Sequence, residues 1–340
     1  MKKLFIAVLS MATLASCFQS ELALDQAIDF NTYVGSTTKS IDPSIDNTSI
    51  KTEKFYVWGN TQGDHATNAP IVPIFEGVEV GYADGVWAYG VQHTKYWIAG
   101  NKYNFAAVVN GVVDNTALVN GLPETISYNT AGEDKDLLYA DAKNIIAKAS
   151  GNDKVAFTFS HLLSKAVFTF TNTTTPVVAG APANIYKVTN IEISGLPESA
   201  NYDVAAGAWK DNTGNTLTEN FGHIVAINET NEGADAINVV EQGVGKSNYE
   251  HLLIPGTHNV TIRCTITLYN GVVADNQVVD VIEYSQTING LILQKGTAYN
   301  FSLKAGLEQT IEFDVNPVKD WNNPYAGVDT PVQGHDNPAI

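Results

Sequence analysis

The sequence predicts an all-β protein, two tandem β-sandwich domains behind an N-terminal export signal, and three observations carry that prediction. Short runs rich in Val, Ile, Thr, Phe and Tyr recur between turn signals, the pattern of antiparallel sheets that face a core on one side. The 340 residues are 44% hydrophobic and 16% charged, with 27 Gly and 12 Pro. Such a composition belongs to ordered globular protein, and the length suits about two domains of roughly 100–200 residues each. Helix signals are scarce. One candidate helix runs over 134–149, with Leu137, Leu138, Asp141, Ile145 and Ile146 roughly along one face and Gly151 past its end; the same stretch suits a buried crossover loop.

The first element is an address. Lys2 and Lys3 precede an apolar run over 4–15 that is too short to span a bilayer, and Leu14-Ala15-Ser16-Cys17 resembles the lipobox at which bacterial signal peptides are cut. Residues 1–16 are therefore read as a lipoprotein signal peptide and Cys17 as the lipidated first residue of the mature chain. Acyl chains on Cys17 would hold the protein to a membrane without a transmembrane helix. Cys264 is then the one remaining thiol, so no intramolecular disulfide can form.

Strands are expected over 55–58, 103–109, 155–159, 165–171, 187–194, 260–268, 278–284 and 310–315. Even positions from Val260 to Leu268 are apolar and odd ones polar, which turns Cys264 inward and Arg263 outward. Two echoes support duplication. Gly100-Asn101-Lys102-Tyr103-Asn104-Phe105 resembles Gly296-Thr297-Ala298-Tyr299-Asn300-Phe301, and Asn110-Gly111-Val112-Val113 recurs as Asn270-Gly271-Val272-Val273, each Asn-Gly being a hairpin signal. A third, Gly121-Leu122-Pro123-Glu124 against Gly195-Leu196-Pro197-Glu198, marks similar strand ends. The polar stretch 148–154 is the expected boundary, giving an N-terminal domain over 17–152 and a C-terminal domain over 153–322. Pro324, Pro331 and Pro338 mark residues 323–340 as an irregular tail.

Charge and motifs narrow the function. With 19 Lys and Arg against 36 Asp and Glu, the chain carries −17 and would be repelled by phosphate backbones, which argues against nucleic acid as a partner. Gly243-Val244-Gly245-Lys246-Ser247 looks like a phosphate loop, but the earlier glycine that such a loop needs is absent, since that position holds Val240. The histidines at 65, 93, 161, 223, 251, 258 and 335 are scattered, without an HExxH pair or a CxxC partner, so no metal and no cofactor is expected. Asp211-Asn212-Thr213-Gly214-Asn215 lacks the closing acidic residue of a calcium loop. With no GxSxG elbow and no nucleophile, base and orienting group in view, the chain is not read as an enzyme. Trp58, Trp87, Tyr89, Tyr96, Trp97 and Tyr103 crowd the first half; they suit a core, and they also suit an aromatic platform for glycans.

Several segments together resemble the fimbrillin (Mfa-like) family. They are the lipobox at Cys17, Ile28-Asp29-Phe30-Asn31-Thr32-Tyr33-Val34-Gly35 with its following Thr/Ser loop and Lys39, Phe55-Tyr56-Val57-Trp58-Gly59, and Tyr96-Trp97-Ile98-Ala99-Gly100. Phe159-Ser160-His161-Leu162-Leu163-Ser164-Lys165-Ala166-Val167-Phe168, the stretch from Gly296 to Phe301, Ile311-Glu312-Phe313-Asp314-Val315 and Val318-Lys319-Asp320-Trp321 continue the likeness along nearly the whole mature chain. The resemblance implies two transthyretin-like (Greek-key) β-sandwich domains in a subunit or accessory lipoprotein of type V pili at the cell surface and outer membrane. It implies other pilus subunits as partners, a lipid anchor in the outer membrane and a ligand on a host or bacterial surface. In such pilins a protease cuts the loop after the first strand, that strand departs, and a strand from another subunit fills the groove. Here the displaced strand would carry Ile28, Phe30, Thr32 and Val34, and the cut would fall at Lys39, the one basic residue between Gly35 and Ile50. The family's arginine-specific cut has no counterpart, because the one arginine is Arg263. The alternative function is a surface lipoprotein that binds glycans around Trp87 and Trp97.

Overall fold

The computed structural model describes residues 23–35, 45–63, 69–130, 135–173, 184–226, 243–270, 278–305, 311–318, 321 and 324–325. Among them are twenty-two strands, numbered here in chain order, two short 3-10 turns and no α-helix. The protein is all-β, as the recurrent Val/Ile/Thr/aromatic runs predict.

A seven-stranded sheet organises the first half. Its order is β2 (Phe30–Val34), β12 (Val155–His161), β11 (Leu138–Ile146), β7 (Lys102–Val109), β3 (Phe55–Gln62), β4 (Ile71–Ala83) and β5 (Val86–Tyr89). Alternation explains the strands: in β12 the side chains of Val155, Phe157 and Phe159 are buried while Ala156, Thr158 and Ser160 face out. The sheet curls until its two end strands, β2 and β5, approach each other. The core inside joins Phe30, Phe55, Phe75, Trp97, Tyr103, Phe105 and Phe157. Beside it β1 (Ala23–Ala27) pairs with β6 (Tyr96–Ile98), and β8 (Leu118–Val119) pairs with β9 (Leu122–Pro123).

Two further sheets pack face to face over a second core. One runs β10 (Thr125–Asn129), β14 (Asn184–Asp203), β19 (Gly256–Asn270) and β20 (Val278–Leu293), with β15 (Ala208–Gly222) also on β14. The other runs β16 (Ile224–Ala226), β17 (Gly243–Ser247), β13 (Ser164–Asn172), β21 (Ala298–Ala305) and β22 (Ile311–Val318), with β18 (His251–Leu253) also on β13. Phe168, Phe170, Phe301 and Leu303 from one sheet meet Val188, Ile193, Ile262 and Ile266 from the other. Cys264 is buried and free in that layer, and Arg263 is exposed, as the alternation predicts. A third cluster, including Trp58, Ile126, Leu162, Leu163, Leu252 and Trp321, joins residues of both halves.

Three expectations need correction. The stretch read as a helix over 134–149 holds β11, which pairs with β7 and β12. Its register slips by one residue between Ala142 and Ile145, where Asn144 takes a φ of 60°. That bulge breaks the period of two, so the apolar residues on either side fall at spacings that imitate a helix. Second, the strand at 155–159 does not open the second half: β12 belongs to the seven-stranded sheet, and the chain changes sheets at Leu162-Leu163. Third, Asn110-Gly111 does not close a hairpin. Asn110 has the expected positive φ of 58°, yet β7 is not followed by a paired return strand, and Val112 instead makes an isolated bridge to Ser127 of β10.

Candidate functional site

The segment of greatest functional interest is the first strand of the large sheet. After β1 the chain bends at Ile28-Asp29, where the Ile28 N–H donates to Lys95 O at 2.8 Å and Tyr89 Oη donates to Ile28 O at 2.6 Å. Burial and then the Asp29 charge push the Tyr89 hydroxyl up to about 12, which keeps it a proton donor in that bond. β2 follows and pairs in parallel with β12, from Phe30 opposite Val155 to Val34 opposite Phe159.

Alternation decides what β2 buries. Phe30 is 1% exposed and Val34 0%, Thr32 between them is half-buried, and Asn31 and Tyr33 face solvent. Ile28, also buried, lies in the bend before the strand rather than on it. The Phe30 ring stacks on Phe157 at 5.5 Å and meets Phe75 and Phe105 edge-on at 5.5 and 6.0 Å. Burying such a ring is worth about 1.5–3 kcal/mol relative to leaving it in water.

β2 is also an edge. Its far side faces β5 across an open cleft of about 640 Å³, lined by Thr32, Tyr33, Tyr82, Val86, Lys51 and Lys154 among others. Lys51 Nζ stands 5.4 Å over the Tyr82 ring. An edge exposes backbone groups that another strand could use, and here side chains occupy some of them. Asn31 Oδ1 accepts from the Thr32 N–H at 3.0 Å. Asn47 holds both backbone groups of Val34, accepting from its N–H at 2.7 Å and donating to its carbonyl at 3.0 Å.

Asn47 is itself fixed by a local turn. Asp46 Oδ1 accepts from the N–H groups of Thr48 and Ser49 and from Ser49 Oγ, while Ile45 N–H donates to Asp136 Oδ2 at 2.9 Å. Asp136 is buried and pairs with His161 Nδ1 at 2.7 Å, and the His161 ring stacks on Trp321 at 4.4 Å. Lys165, fully buried, forms an ion pair with Glu250 at 3.3 Å and lies 5.7 Å from the centre of the Trp321 ring. The motif read as His-Leu-Leu-Ser-Lys thus anchors two distant segments at the junction of the halves.

Other candidates fare differently. Cys17 and Lys39 lie outside the described residues. The phosphate-loop look-alike forms β17, and Asp211–Asn215 fall within β15. Trp58, Trp87 and Trp97 are buried, with Trp97 packed edge-on against Tyr103 at 4.7 Å, so these tryptophans build core and offer no platform to a sugar. Among the described residues no group of three or more His, Cys, Asp or Glu side chains could hold a metal ion.

Sequence reading missed Asn47, Asp136 and Glu250. The Asp46-x-x-Ser49 spacing is a legible turn signal and could have flagged the first. Nothing local marks Asp136, whose partner Ile45 is 91 residues away.

Comparison with known proteins gives concordant results. A fimbrillin-like family model matches residues 38–321. No curated protein sequence matches the chain. Among solved structures, a candidate cell adhesion protein from Bacteroides ovatus is 14% identical, with 85% of this chain and 96% of that one aligned at a TM-score of 0.51. A second candidate cell adhesion protein, from Bacteroides uniformis, is 15% identical over 86% and 98% of the two chains at 0.45. A fimbrial assembly protein from Parabacteroides distasonis is 11% identical over 87% and 97% at 0.41. At such identities the first of these speaks for a shared fold.

Proposed function

Because the chain belongs to the fimbrillin-like family, we propose that it is a structural or adhesive part of a cell-surface fimbria, a subunit or accessory protein assembled by β-strand addition. The observation that supports strand addition is the position of β2. It is paired on one side and sends Phe30 and Val34 into the core, so its departure would leave pockets beside Phe75, Phe105 and Phe157 for another strand's alternate side chains. Main-chain hydrogen bonds would then supply affinity and those pockets specificity.

In this reading residues 1–16 are removed on export, Cys17 carries the lipid, two β-sandwich domains meet where the chain changes sheets at Leu162-Leu163, and 323–340 form a tail. The partners are other fimbrial subunits, the outer membrane through the lipid, and a ligand on a host or bacterial surface. Lys39 is the candidate maturation site. Limited digestion with a lysine-specific protease, followed by mass measurement and sizing, tests assembly. A cut near Lys39 is expected first, and oligomers, visible as a ladder on an unheated gel, are expected once the N-terminal segment has left; a cut chain that has lost that segment and stays monomeric speaks against strand addition. Cys17→Ala should lose acyl labelling, and a labelled variant would exclude Cys17 as the lipid site.

A further inference from the structure

Beyond residues 36–44, which follow β2, a single side chain, Asn47, bonds back to the last residue of that strand. We propose that Asn47 is a lock, a side chain that mimics one peptide of a neighbouring strand and keeps β2 seated once the covalent connection through 36–44 is broken. The inference rests on the strand-addition reading and adds to it a control on when the strand can leave.

The geometry is that of a strand pairing made by a single amide. Val34 offers its N–H and its carbonyl on the free side of β2, and the Asn47 carboxamide meets both, at 2.7 and 3.0 Å. A primary amide carries an acceptor and donors on neighbouring atoms, so it can satisfy such a pair as a strand residue would. Lysine, serine or threonine at this position could not present both in one plane.

The position of Asn47 makes it a lock and not merely a contact. It belongs to the body of the protein beyond residue 44: Ile45 and Ile50 on either side are buried, Ile45 N–H is held by Asp136, and the Asp46 carboxylate and Ser49 hydroxyl fix the turn. None of those bonds runs through residues 36–44. A cut there frees the end of β2 from the chain but leaves its last residue gripped, with Phe30 buried and the pairing to β12 in place. An incoming strand that used the free side of β2, or one that replaced β2, would first have to break the Asn47 pair. Cleavage and release are thus separate steps.

The test needs a cut at a chosen place. Residues 37–43 are replaced by a recognition site for a sequence-specific protease, the protein is cut to completion, and loss of the N-terminal segment is followed by sizing and mass measurement against time. The wild-type residue at 47 should retain the segment. Asn47→Ala, with a melting transition still cooperative before cutting, should release it about 10- to 30-fold faster, the factor expected for two neutral hydrogen bonds. Asn47→Asp keeps an acceptor for the Val34 N–H but loses the donor to its carbonyl, and should release at least as fast as the alanine variant. Equal release from all three chains, or immediate loss from the unsubstituted one, would overturn the lock. Whether released chains then form oligomers is read in the same experiment and bears on strand addition alone.

Discussion

β2 and β21 are both paired in parallel with a strand from the middle of the chain, β2 with β12 and β21 with β13. Each carries a phenylalanine that stacks on one from its partner: Phe30 on Phe157 at 5.5 Å and 20°, Phe301 on Phe168 at 5.4 Å and 19°. The local chemistry is nearly the same, but the surroundings are not. β2 ends its sheet, whereas β21 lies between β13 and β22 and shares eight paired positions with each. Loss of β2 strips one edge from a sheet that remains continuous; loss of β21 would separate β22 from the rest. The difference teaches that whether a strand could leave without breaking its sheet depends on its place in the sheet and not on the pairing itself.

The largest expected effect puts that contrast at risk. Phe301→Ala should cost about 3–5 kcal/mol, the range for emptying a buried aromatic site, seen as a lower denaturation midpoint with an unchanged slope. Phe30→Ala should fall at the lower end of that range, about 3 kcal/mol, because an edge strand can settle into the space it leaves. Native-state hydrogen exchange reads the same contrast without substitution. Amides of β2 should exchange about 100-fold faster than those of β21, through local opening and not through global unfolding. Equal protection of the two strands would remove the physical basis for treating β2 as separable.

A smaller effect tests whether the halves are otherwise equivalent. Tyr103 Oη accepts from the Ile98 N–H at 2.8 Å, and Tyr299 Oη accepts from the Gln294 N–H at 2.8 Å, five residues upstream in each case. Glycines with positive φ, Gly100 and Gly296, turn the chain inside both loops. Tyr103→Phe and Tyr299→Phe should each cost about 1–2 kcal/mol, since each strands a backbone donor. Matched losses by thermal denaturation would mark the corners as equivalent, so that the halves differ in edge exposure rather than in construction. A twofold mismatch would break the parallel.

These corners also show what was legible in the sequence. The echo between Gly100–Phe105 and Gly296–Phe301 could be read directly, because a turn glycine, an alternating strand and a tyrosine are local features. The alternation of Phe30 and Val34 was readable for the same reason. Strand order was not: whether β2 sits at an edge depends on pairing with β12, more than a hundred residues away, and periodicity carries no partner's address. The helix reading of β11 fails at the Asn144 bulge, and the sequence marks Asn47 only as part of an Asp46-x-x-Ser49 turn, because the Val34 groups it satisfies are backbone, invisible to side-chain patterns.

The smallest expected effect probes the second core, where no exchangeable edge has been assigned. Cys264 is buried on β19 opposite Tyr284 of β20, and burial, followed by the Glu283 charge, pushes its thiol from 9.0 up to about 12. The sign follows from proton linkage. The folded thiol holds its proton where the unfolded one has lost it, so its contribution is fully present below about pH 9 and is lost as pH rises toward 12. Cys264→Ala should cost about 1 kcal/mol at neutral pH, a small-cavity value, and should flatten part of the alkaline decline that urea titrations of the parent are expected to show. A thiol reagent should label the native protein slowly, at the rate of global opening, because the thiolate forms only when the core comes apart. If Cys264 instead reacts as fast as a cysteine introduced at Val34 in the Cys264→Ala background, the second core opens as readily as the edge at β2. The contrast between the two parallel strands would then describe geometry without describing dynamics.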